Sequence, residues 1–166
     1  DAADLTIKLG HSRDLKQPTH QGALKFAELV EQGTSGRVVV KVFPNSQLGG
    51  IQEMFTQVQT GDLQMVYGGI NTFGFIDGGD AFEITAIPFL YRDYEHMRSS
   101  LLADFFKPVI ADAEEKTGIK IMNIAGDTTL RGLTAKRPLK TPADFNGLKI
   151  RTAASEEVLR YMKNLG

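Results

Sequence analysis

The chain has 166 residues, enough for one domain or two small ones, with 42% hydrophobic and 23% charged residues, a balance that excludes a disordered tail. Its formal net charge of −1 gives no basic surplus for nucleic acid or an anionic membrane, and no apolar run nears the roughly 18 residues of a membrane span. The absence of cysteine excludes disulfides, thiolate chemistry and Cys-ligated zinc.

The sequence begins "DAADLTIKLG" without an initiator Met or an apolar leader, which fits a processed or trimmed N-terminus. Leu5 to Leu9 alternate and stop at Gly10, predicting a strand. After Pro18, the residues Ala23, Phe26, Ala27 and Val30 fall on one helical stripe that ends at "GTSG" (33–36). "RVVVKVF" (37–43), rich in β-branched residues and stopped by Pro44, predicts a second strand. Ile51, Met54, Phe55 and Val58 repeat the helical stripe, with Gly61 as its C-cap. "LQMVYGG" (63–69) predicts a third strand that runs into an irregular, glycine-rich stretch to Asp80. "AIPFLY" (86–91) is apolar and broken by Pro88. A long helix is predicted from about Asp93, kinked or split by Pro108. "GIKIMNIAG" (118–126) predicts a fourth strand.

Strands alternating with helices through short loops predict an α/β fold with a mainly parallel sheet. Near Gly126 the regular βα rhythm gives way, and a boundary at 124–128 divides the chain into a first α/β lobe, 1–125, and the start of a second, 126–166. In the second part Thr141 is suited to N-cap a short helix, with Pro142 at its first position, Asp144 at its positive end and Gly147 as its stop. The apolar run Leu148–Ile150 predicts a buried strand ending at Arg151, and a helix begins near Ser155.

In open α/β sheets ligands bind beyond the carboxyl ends of strands, and a guanidinium beside a helix start can grip a carboxylate through two parallel hydrogen bonds. By position alone Arg151 reads first as a surface residue paired with an acid. His11, His20 and His96 lie far apart without metal-ligand spacing, and His20 and His96 are predicted as polar surface positions on helices. "DGGDAFE" (77–83) lacks calcium-loop spacing, and there is no phosphate loop, dinucleotide fingerprint or nucleophile elbow, so no cofactor is implied. Phe73, Phe75, Phe82 and Phe89 are predicted to pack the core and cleft wall rather than to stack on a ligand. An α/β enzyme or a sensor domain acting on small organic acids remains the competing class, but no converging nucleophile, metal set or acid/base pair is visible.

Several stretches, in order, carry a resemblance: "IKLGHS" (7–12), "KFAELVEQGTSGRVVVKVFPNSQLGG" (25–50), "QVQTGDLQM" (57–65), "IPFLYRDYEHMR" (87–98) and "RGLTAKRPLKTPADFNGLKIRT" (131–152). Together they span nearly the whole chain, which resembles the substrate-binding proteins of TRAP transporters, the DctP-like family. The resemblance implies a periplasmic-binding-protein-like fold of two α/β domains around a cleft. It implies a non-enzymatic, periplasmic receptor that closes on an organic acid and delivers it to the TRAP membrane subunits. In the family the G-L-K-I-R arginine grips the carboxylate, which matches Arg151. A second arginine matches Arg131, with Thr134 and Arg137 following. The end of the first strand implies Ser12 and His11, and the turn after "DLQM" implies Gly68, Gly69 and Ile70. Two departures stand out: glycines occupy a turn where relatives carry acidic or hydroxyl side chains, and Thr128 and Thr129 replace an Asn-Gly pair. Family members continue well past the position of Gly166, so the sequence reads as an N-terminal portion with the second domain incomplete.

Overall fold

The computed structural model describes residues 3–124, 132–152 and 156–166. Its first half is built from strand–helix–strand units. The strands β1 (Leu5–Gly10), β2 (Val38–Phe43) and β3 (Met65–Val66) form a parallel sheet in the order β2-β1-β3. Leu5 to Gly10 pair in step with Val38 to Phe43, while Leu9 and Gly10 pair with Met65 and Val66. Parallel neighbours need long crossovers, supplied by α1 (Pro18–Gly33) and α2 (Ile51–Thr60).

The stripe read from the sequence is the face that α1 buries. Ala23 joins Leu9 and Val40 in one core, with Phe26, Ala27 and Val30 packed against it. The helix starts with Pro18 in its first turn, where no amide partner is lost. At its other end the Thr34 hydroxyl donates to the Val30 carbonyl at 2.8 Å and accepts from the Val38 amide at 3.0 Å, joining the helix end to the start of β2. Gly61 ends α2 with φ of +84°, the left-handed C-cap expected of it. Gly10 closes β1 against α2: a methyl group there would meet the Met54 sulfur at 2.6 Å, closer than van der Waals contact allows.

A second core lies under the helices that follow. Phe55, Phe73, Ile76, Phe82, Leu101 and Phe106 are buried together with Ala113, Ile119 and Ile124. Phe73 sits edge-on to Phe55 at 5.5 Å and to Phe82 at 5.6 Å between ring centres, an arrangement aromatic quadrupoles favour. Phe73 and Phe82 are therefore core residues, as predicted, whereas Phe89 is fully exposed on left-handed backbone with φ of +60°.

The long helix predicted from Asp93 is split in two. Asp93 caps α4 (Tyr94–Leu101), accepting from the His96 amide at 2.7 Å. A 3-10 turn, Asp104–Phe106, then hands the chain to α5 (Lys107–Thr117), with Pro108 in its first turn. Two predicted strands do not form. Residues 118–123 carry no strand pairing, although Ile119 and Ile124 are buried. Their amides are satisfied locally, Ile119 by the Thr117 hydroxyl at 3.2 Å and Ile121 by the Glu114 carboxylate at 2.8 Å. The run Leu148–Ile150 is likewise outside any ladder. A strand exists only by pairing, and among the described residues neither segment joins the sheet.

The short helix between them is a 3-10 helix, Pro142–Phe145, and its predicted signals hold. The Asp144 carboxylate accepts from the amides of Thr141 at 2.7 Å and Lys140 at 2.8 Å, and Gly147 is left-handed with φ of +71°. The last element is a helix, Glu156–Leu165. The predicted domain boundary and Ser155 fall outside the described residues. Among the described residues no helix is long and apolar enough to cross a membrane.

Candidate functional site

All three parallel strands end on one side of the sheet, at Gly10, Phe43 and Val66. Three connections leave there: His11–Arg13, Pro44–Ser46 and Tyr67–Ile70. Backbone hydrogen bonds knit them together. The His11 amide donates to the Phe43 carbonyl at 3.0 Å, and the Ser46 amide to the His11 carbonyl at 3.1 Å. The Asn45 amide donates to the Arg13 carbonyl at 3.0 Å, and the Tyr67 amide to the Gly10 carbonyl at 2.9 Å. Asn45 and Ser46 both take left-handed backbone, φ 55° and 56°, to turn back over the strand ends. This edge is the place where an open α/β sheet receives a ligand.

The expected residues of this edge have distinct surroundings. Ser12 is exposed. Gly69 is exposed at the start of a one-turn helix, α3 (Ile70–Phe73), and Ile70 is half-buried against the second core. Gly68 is packed against the Ile51 and Phe55 side chains, which fill the space its missing side chain leaves. His11 is wholly buried and both its ring nitrogens are engaged: Nδ1 accepts from the Arg13 amide at 3.2 Å, and Nε2 lies 3.1 Å from Nδ1 of His20. Burial first, and the neighbouring His20 second, hold the His11 imidazole below its ordinary titration range. His20, predicted as a surface residue, is instead buried, because the first turn of α1 returns across the end of β1.

Arg151 is exposed and has no hydrogen bond or ion pair among the described residues. Arg131 lies outside the described residues. Arg137 is engaged at home, donating from Nη2 to the Asp144 carbonyl at 2.8 Å. An open groove of about 500 Å³, lined by Leu133, Ala135, Arg137, Leu139 and Phe145 among others, contains none of the expected ligand residues. Neither Arg151 nor the strand-end residues line this groove.

No group of three or more His, Asp or Glu that could hold a metal is present among the described residues. Three further titration shifts belong to surface ion pairs: Lys25 lowers Glu28 from 2.6 Å, Lys120 lowers Glu114 from 2.7 Å, and Asp112 raises Lys116 from 2.7 Å; burial raises Tyr91. The feature that sequence reasoning missed is the His11–His20 pair. The two residues are nine apart, with no helical or strand period between them. The available signal was positional: one His follows a strand, the other opens the next helix, and a tight βα connection superimposes those two places.

The chain is similar to known proteins over its whole length. The family described as "Bacterial extracellular solute-binding protein, family 7", DctP, matches residues 9–166. The C4-dicarboxylate-binding periplasmic protein DctP of Rhodobacter capsulatus is 34% identical over 99% of this chain and 49% of its own length. The 2,3-diketo-L-gulonate-binding periplasmic protein YiaO of Escherichia coli K12 is 30% identical over 97% of this chain and 48% of its own. Among solved structures, a TRAP periplasmic solute binding protein from Roseobacter denitrificans with bound L-galactonate superposes with a TM-score of 0.86 at 27% identity, covering all of this chain and 54% of that one. The chain spans about half the length of these relatives. With helices and parallel strands in the same arrangement, and a family match that runs from the end of β1 to the last residue, the chain belongs to the family 7 bacterial extracellular solute-binding proteins, the substrate receptors of TRAP transporters.

Proposed function

We propose that this chain is the N-terminal portion of a periplasmic receptor that captures a small organic acid through an Arg151–carboxylate pair and delivers it to a TRAP-type membrane transporter. Residues 1–125 would form one lobe and residues 126 onward the start of a second, with the ligand between them. The observation that carries this reading is the recurrence of carboxylates among the relatives' ligands, beside the diglycerolphosphate bound by one solved neighbour. Their names and bound molecules specify a C4-dicarboxylate, 2,3-diketo-L-gulonate and L-galactonate, all carboxylates. Arg151 supplies the matching donor. Its guanidinium is exposed and has no partner among the described residues, so a carboxylate need not displace any acid described there to reach it. Arg131 would add a second cation, and the sheet edge would supply Ser12, Gly69 and Ile70. His11 would act through its neighbours, since its ring nitrogens are taken. Hinge closure would then dry the pair and strengthen it. The receptor catalyses nothing in this reading.

Arg151→Lys tests the pairing, because it keeps the charge and removes the two-pronged geometry. Calorimetry with L-galactonate, 2,3-diketo-L-gulonate and succinate should show affinity for the bound acid falling tenfold or more, about 1.4 kcal/mol. Unchanged affinity would remove Arg151 from the site. Native mass spectrometry of the purified protein should reveal a co-purified acid.

A further inference from the structure

The two buried imidazoles form a hydrogen-bonded chain whose proton positions are fixed by one end. The Arg13 amide can only donate, so the Nδ1 atom it reaches on His11 is bare. The His11 ring proton is therefore on Nε2, pointing at His20 Nδ1 3.1 Å away. That atom must also be bare, which leaves the His20 proton on Nε2. The order Arg13 N–H, His11, His20 works only when both rings are neutral. A proton added to either Nδ1 sets two N–H groups facing each other, beside rings of which His11 is completely buried and His20 nearly so.

What this chain holds is the backbone on either side of Ser12. Arg13 is pinned by its amide to His11 and by its carbonyl to the Asn45 amide at 3.0 Å. Ser12 hangs between His11 and Arg13. Among the described residues no fixed charge is paired with either ring. Along the loop, Asp14 is turned to the Lys16 amide at 2.7 Å, and Arg13, Asp14 and Lys16 are all exposed. The turn after β2 meets His11 through the Phe43 carbonyl and the Ser46 amide, without a charged side chain. The α2 side offers Met54 and Leu48 around Gly10, and the continuation of β3 offers the Tyr67 phenol, which packs toward Gly22 on α1. His20 is the titratable side chain that bears on the charge of His11.

We propose that His11 and His20 are positioning residues: as a neutral pair they hold Ser12 and Arg13 in place at the ligand edge, and acid releases that hold. The hold itself is independent of what the protein binds. Its consequence, weaker ligand capture in acid, rests on the receptor function proposed above.

Nitrogen-detected NMR of the labelled protein, without ligand, tests the hold. At pH 7.5 the His11 ring proton should be on Nε2. On lowering the pH to 5.5 the Ser12 and Arg13 amide resonances should move with the midpoint of the imidazoles. His20→Asn places an amide oxygen where Nδ1 stood, so the loop amides should stay near their wild-type positions at pH 7.5. His20→Leu fills the space without an acceptor and should displace them at that same pH, with the melting temperature showing that each variant is folded. A His11 proton on Nδ1, loop amides that stay still while the rings titrate, or a Leu variant whose loop matches wild type would overturn the proposal. For the consequence, L-galactonate remains ionised across this window. Its affinity should fall at least threefold from pH 7.5 to 5.5 in wild type and by less in His20→Asn. L-galactonate binding that is equal at both pH values overturns the coupling to capture. No binding of any acid at either pH overturns the receptor reading and leaves the NMR result to decide the positioning role.

Discussion

The β1–α1–β2 unit and the stretch 118–152 contain equally clear apolar runs, and only the first turns them into sheet. In the first, Leu9 pairs with Val42 and Ile7 with Val40 on neighbouring strands, and Ala23 joins Leu9 and Val40 in one core, so backbone and side chains are satisfied by the same neighbours. In the second, Ile119 and Ile124 reach a core, but the amides of Ile119 and Ile121 turn to Thr117 and Glu114, and Leu148–Ile150 has no ladder among the described residues. Burial follows from a residue's own chemistry. A strand requires a partner, and the partner belongs to another part of the chain.

The largest effect that would break this contrast is in the shared core. Phe82→Ala, at a fully buried ring edge-on to Phe73, should cost about 3–5 kcal/mol by denaturant unfolding, with Phe89→Ala as the silent control on its exposed left-handed turn. Leu9→Ala in the sheet should cost about 2–5 kcal/mol. If both core losses are similar in the same assay, the helical core and the sheet stabilise one cooperative unit. A smaller effect sharpens the local side of the comparison. Thr141→Ala removes the side chain of a cap whose carboxylate partner does most of the work, and should cost about 1 kcal/mol or less, read as a fall in melting temperature.

The smallest effect is one of pH. Burial depresses the His11 titration in the folded state, so the unfolded chain binds the extra proton first as acid is added. The contribution of this imidazole to stability is complete above its unfolded value, near 6.5. It is lost as pH falls from there through the lower folded value. Thermal unfolding between pH 7.5 and 5 should show this loss, and His11→Asn should flatten it.

How much the sequence discloses tracks the same division. The stripe of α1, the C-cap at Gly61, the break at Pro108 and the cap formed by Thr141 and Asp144 were legible because each is decided within a turn or two of chain. The strands at 118–126 and 148–150 were misjudged because pairing is decided at a distance. His20 was misplaced for the same reason: its burial is set by the end of β1 rather than by its own helix. Arg151 drew its role from the resemblance, since an exposed guanidinium says nothing of its guest until the relatives' acids are set beside it.

The contact between Gly10 and Met54 has a consequence for how this lineage can change. A single added methyl at position 10 meets the Met54 sulfur at 2.6 Å, so it fits only if the enclosed Met54 side chain shifts. Drift at one position is therefore conditional on the other. A Gly10→Ala substitution alone should be lost from a population of folded variants, and should survive only beside a shorter residue at 54, such as Val. The two sites are bound to evolve as a couple although 44 positions separate them.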